Sequence, residues 1–107
     1  MTERYKELEP LLNTRVCGYG KFSKLDTDKL TEDRFICLSD IHIQDRVIDH
    51  LWIPISKSTI ALLGKLHVGK PIYFSATIRL RKRPAKSFLD DYIPDIRLSK
   101  FKLIIKE

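Results

Sequence analysis

Ser56-Lys-Ser-Thr-Ile-Ala-Leu-Leu-Gly-Lys-Leu-His67 is the stretch that decides the fold of this 107-residue chain. Ile60, Leu63 and Leu66 recur every three residues with Leu62 beside them, the spacing of one helical face. Ser56 or Ser58 suits the N-cap. Val68-Gly-Lys-Pro71 follows, where Gly69 suits a helix C-cap and Pro71 a stop shortly after it. One helix of two to three turns is predicted, and on both sides of it the apolar period changes from helical to two.

Downstream, Pro71-Ile-Tyr-Phe-Ser-Ala-Thr-Ile-Arg-Leu-Arg81 alternates most clearly. Ile72, Phe74, Ala76, Ile78 and Leu80 read as core, and Tyr73, Ser75, Thr77, Arg79 and Arg81 as the exposed face. Lys82 to Pro94 reads as loop and Ile96 to Ile105 as the last strand, with Phe101, Leu103 and Ile105 inward. Upstream, residues 14–23 place Val16, Gly18, Gly20 and Phe22 on one side and Arg15, Cys17, Tyr19 and Lys21 on the other. Two glycines in a strand predict a bend or bulge. Lys24 to Asp33 reads as loop. Arg34 to Ile43 is a second strand with Ile36 and Leu38 inward and Phe35, Cys37 and Ser39 facing the other way. After a turn at Gln44-Asp-Arg46, a third strand centres on His50-Leu-Trp-Ile53 and ends at Pro54. Before all of these, Tyr5, Leu8 and Leu11 sit among good helix formers, and Pro10 limits a helix to about two turns. Residues 1–13 therefore read as a short helix or docked arm, set apart from 14–107.

One helix among five strands excludes a doubly wound α/β sheet. Five strands leave two open edges unless the sheet closes. The expected fold is mainly β: a five-stranded barrel with one helix between the third and fourth strands and a short N-terminal helix. Over residues 14–106, the element order, the glycine-bent first strand and the position of the 56–68 helix make the chain resemble the OB-fold, the oligonucleotide- and oligosaccharide-binding barrel. An SH3-like barrel or a small α+β sheet also fits the pattern. The resemblance implies a ligand lying across the second and third strands, framed by the loops after the first and fourth, here roughly 24–33 and 82–95.

Charge points to the second of those loops. The chain carries 20 Lys and Arg against 14 Asp and Glu, a net +6. Residues 1–34 sum to zero, 35–78 to +1 and 79–107 to +5. Most of that excess lies in Arg79-Leu-Arg-Lys-Arg-Pro-Ala-Lys86. Phosphate backbones attract such a run through counterion release, whereas the same charges could simply protect a strand edge. Single strands are also held by aromatic stacking. The candidate nucleic-acid-binding residues are Tyr19, Phe35, Trp52 and Tyr73 for bases, and Lys21, Arg79, Arg81, Lys82, Arg83 and Lys86 for phosphates. The expected partner is single-stranded DNA, ahead of RNA. The alternative is a protein-interaction module or a small dimerising barrel.

Other classes find less support. Asp40, His42, Asp45, Asp49 and His50 could suggest a metal, but a turn splits them, and zinc needs three or four ligands in good geometry. A polar turn is the expected reading, with no metal and no cofactor. The P-loop, G-x-S-x-G and H-E-x-x-H motifs are absent from the sequence, and no enzymatic activity is expected. Two cysteines, Cys17 and Cys37, are too few for a disulfide scaffold and are expected as free thiols. No apolar run approaches the ~20 residues that span a bilayer, and MTERYKELEP lacks a signal-peptide core. A cytoplasmic protein with no membrane partner is expected.

Overall fold

The computed structural model describes residues 3–84 and 92–104, except the side chains of residues 83, 84 and 92. Five strands, β1 (Arg15–Thr27), β2 (Arg34–Ile43), β3 (Arg46–Ile55), β4 (Pro71–Pro84) and β5 (Tyr92–Leu103), pair in the order β3-β2-β1-β4-β5. Every pairing is antiparallel. β3 and β5 approach each other without forming a ladder, so the sheet makes a nearly closed barrel, compatible with an OB-like fold. Both strands at this seam carry a proline, Pro54 and Pro94. A residue without an N–H is tolerated at a sheet edge and discourages further pairing there.

β1 pairs with β2 along Gly18–Thr27 and with β4 along Arg15–Lys21, so it must bend where the two ladders overlap. Gly18 and Gly20 occupy that overlap. Val16, Gly20 and Phe22 are buried, and Arg15, Cys17, Tyr19 and Lys21 are exposed, as the alternation predicts. The core joins these to Ile36, Leu38, Ile41 and Ile43 of β2, Leu51 and Ile53 of β3, Phe74 and Ile78 of β4, and Ile96 and Leu98 of β5.

Helix α1 (Glu3–Leu8), continued by a 3-10 turn over Glu9–Leu11, packs against β3 and β5. Leu8 is fully buried. Arg4 spans the seam: Nε and Nη2 donate to the two carboxylate oxygens of buried Asp95 on β5 at 2.6 and 2.7 Å, and Nη1 donates to the His50 carbonyl on β3 at 3.3 Å. Arg46 adds a bond from Nη1 to the Glu7 carbonyl at 2.6 Å. No helix among the described residues is long and apolar enough to cross a membrane.

Several expected boundaries shift. β1 continues through Lys24–Thr27, which pair with Arg34–Cys37. Their β2 partners Ile36 and Cys37 are buried, but Lys24–Thr27 themselves are exposed and carry no apolar alternation. β4 and β5 likewise extend as a ribbon, with Lys82 opposite Pro94 and Pro84 opposite Tyr92. Lys82–Pro84 and Tyr92–Pro94 of the expected 82–94 loop are therefore strand, and residues 85–91 lie outside the described residues. Pro54 lies within β3 instead of ending it, because β3 is an edge strand. α2 (Lys57–Leu63) is capped by Ser56, whose hydroxyl accepts from the Thr59 N–H at 3.2 Å. It ends at Gly64 (φ 66°), not near Gly69. Lys70 Nζ completes that end by donating to the Leu63 and Lys65 carbonyls at 2.7 and 2.8 Å. Cys37, expected to face outward, is buried. The expected inward position of Ile105 lies outside the described residues.

Candidate functional site

The clasp formed by Arg4 holds β3 and β5 at His50 and Asp95. Two residues further along each strand come Trp52 and Arg97, and there the surface opens into a cleft of about 680 Å³. Its apolar wall is Phe35 of β2, Trp52 and Pro54 of β3, and Leu80 of β4. Arg81 and Lys82 of β4 and Arg97 of β5 bring positive charge, and Asp26 of β1 is the one carboxylate among the described lining residues.

Strand periodicity explains why these groups face the cleft. Leu51, Ile53 and Ile55 point into the core, which turns Trp52 outward and leaves it 41% exposed. Leu80 belongs to the inward set of β4 and sits opposite core residue Ile96, yet its side chain remains 36% exposed. Among the described residues, no carboxylate lies within ion-pair distance of Arg81 or Arg97, nor a cation within that distance of Asp26. One Asp26 carboxylate oxygen accepts from the Thr27 N–H at 2.8 Å, which fixes its orientation. A flat indole bordered by cations can hold a planar ring that carries an anionic group.

A separate surface forms on the outer side of β2, β1 and β4. Tyr19 stacks on His42 with centroids 4.7 Å apart and planes 7° apart, and it meets Tyr73 at 5.7 Å with a 40° tilt. This is a row across three strands set by the ladder partners Tyr19–His42 and Tyr19–Tyr73. Lys21 lies near it, with Nζ 3.5 Å from the Asp40 carboxylate. Tyr73 and Arg81 are eight residues apart on β4, roughly 26 Å of strand rise.

The sequence candidates therefore separate. Phe35, Trp52, Arg81 and Lys82 meet in the cleft, and Tyr19, Tyr73 and Lys21 lie at the aromatic row. Arg79 is not among the cleft-lining residues and donates from Nη1 to the Asn13 side-chain oxygen at 2.7 Å. The Arg83 side chain and Lys86 lie outside the described residues. Asp26, Pro54, Leu80 and Arg97 escape a reading by sequence. Asp26 sits in an apparent loop, Leu80 carries a core signature, and Arg97 stands away from the basic run. Only barrel closure sets Arg97 beside Trp52.

A second cleft of about 560 Å³ lies between α1 and β3 and is lined by Glu3, Glu7 and Asp49 along with Arg4 and His50. Its acidic rim makes it a poor host for a polyanion. Of the polar cluster, Asp40 faces Lys21, His42 stacks on Tyr19, and His50 Nδ1 lies 3.2 Å from the Asp49 carboxylate. Among the described residues, no group of three His, Cys, Asp or Glu side chains could hold a metal ion. Both cysteines are free. Burial pushes the Cys37 thiol up from its ordinary value, while nearby Lys24 opposes that shift. Comparison with protein-family models, with curated proteins and with solved structures finds no match.

Proposed function

We propose that this chain binds single-stranded nucleic acid in the Trp52 cleft, as a binding module without catalytic chemistry. The observation that carries the reading is one cleft in which exposed Trp52, beside half-buried Phe35, adjoins three cationic side chains, Arg81, Lys82 and Arg97. A base stacked on the indole contributes about 1–3 kcal/mol, and cations beside it draw the phosphates by counterion release. A duplex hides its base faces, so this chemistry favours an unpaired strand. The cleft spans β2 and β3 near the ends of β1 and β4, the ligand position that an OB-like arrangement implies.

The test is oligonucleotide binding across a salt series. Trp52→Ala is expected to weaken binding by about 1–3 kcal/mol at every salt concentration. Arg81→Ala with Arg97→Ala is expected to flatten the slope of log K against log salt by about 1.4, or roughly 0.7 for each lost phosphate contact. Matched DNA and RNA strands rank the two ligands, with DNA expected to bind more tightly. Wild-type binding that ignores salt, or variants that bind as the wild type does, overturns the reading. Salt-indifferent binding of a protein instead points to an apolar docking surface.

A further inference from the structure

The structure holds one feature that phosphate binding does not call for: the Asp26 carboxylate in the same cleft as the cations. A negative charge there opposes a polyanion, and Asp26 makes no ion pair among the described residues that would neutralise it. It adjoins Phe35 across the β1–β2 ladder, so it lies beside the stacking wall. Its bond to the Thr27 N–H holds the group in place with acceptor capacity to spare.

We infer that Asp26 reads the edge of the stacked base and that the cleft prefers guanine within a single strand. This inference rests on the nucleic-acid reading of the cleft. An ionised carboxylate only accepts hydrogen bonds. On its Watson–Crick edge, guanine presents two adjacent donors, N1–H and the N2 amino group, which match the two carboxylate oxygens. Adenine and cytosine each present one amino donor beside a ring acceptor. Thymine and uracil present one N–H between two carbonyl oxygens that repel the carboxylate. Unpaired bases expose this edge to protein, and a bidentate side-chain contact discriminates between bases by about 1–3 kcal/mol.

The experiment compares an oligothymidine strand, the same strand with one central guanine, and the same strand with inosine in that place, which lacks the N2 amino group. Wild-type protein is expected to bind the guanine strand roughly ten-fold more tightly than oligothymidine, with inosine in between. Asp26→Asn is expected to lose that preference and to bind oligothymidine more tightly than wild type, because a negative charge has left the cleft. Such binding also shows that the variant is folded. If wild type binds all three strands equally, or Asp26→Asn keeps the preference, the guanine inference falls and the cleft reading stands. If wild type binds none of the strands, the cleft reading itself falls.

Discussion

Gly18 shows how tightly single positions are constrained. A Cβ added there meets the His42 carbonyl oxygen at 2.6 Å, Ile43 Cγ1 at 2.9 Å and Phe74 Cζ at 3.1 Å. The first of these is backbone and cannot rotate away. Gly18→Ala is therefore expected to cost about 1–3 kcal/mol, measured as a lower urea midpoint at unchanged m-value. Cys37 gives a pH dependence. In the unfolded chain its thiol ionises near its ordinary value of 9.0, and in the folded chain burial raises that value. The folded state thus holds the extra proton between the two, and the slope of stability with pH is negative. Stability is full below the ordinary value and falls as pH rises toward and through the folded one. Cys37→Ala is expected to remove that fall, and a thiol reagent to modify exposed Cys17 well before Cys37. Periodicity left Cys37 on the outer face. Its burial depends on ladder neighbours that one strand cannot reveal: Trp52 and Lys24 stand opposite it and flank a small side chain with large ones.

At the level of elements, α1 closes what the sheet leaves open. Its main tie is the Arg4–Asp95 pair, in which Asp95 is 0% exposed and the carboxylate holds the guanidinium's proton more tightly. Arg4→Met takes the bidentate cationic partner from a buried carboxylate and is expected to destabilise the protein by about 3 kcal/mol. Arg4→Met with Asp95→Leu removes both charges and is expected to cost less than Arg4→Met alone, a non-additivity that a double-mutant cycle in urea measures. Without this tie β3 and β5 separate more readily, so Arg4→Met is also expected to weaken the oligonucleotide binding proposed for the adjoining cleft. The elements themselves were legible. All five strands, the capped helix and the short N-terminal helix follow from period, capping residues and proline. Their ends and phases were less so. In β5 the inward set runs Ile96 and Leu98, then Phe101 and Leu103, because Lys100 takes φ 52° beside a register shift opposite β4. β2 changes phase in the same way at Asp40, φ 46°. Neither residue is glycine, so no turn signal marks either bulge. Lys24–Thr27 read as loop because all four are exposed and carry no apolar alternation, and only their ladder with β2 makes them strand.

At the level of the whole molecule, the charge excess in the last quarter of the chain was visible at once, and so were the aromatics, but not their grouping. Phe35, Trp52, Arg81 and Arg97 become neighbours only when β3 comes round to β5, and Tyr19 and Tyr73 lie apart from them along the strands. A surface assembled across a seam responds to whatever holds the seam, which makes α1 part of the cleft's support. The Arg4–Asp95 contact joins positions 91 residues apart. A chain leaving the ribosome makes its N-terminal part first, so the helix that finishes the barrel emerges early and must wait for its anchor on the final strand. Until then the edge of β3 stands uncovered, and nascent chains of this protein should be most prone to clumping in that interval.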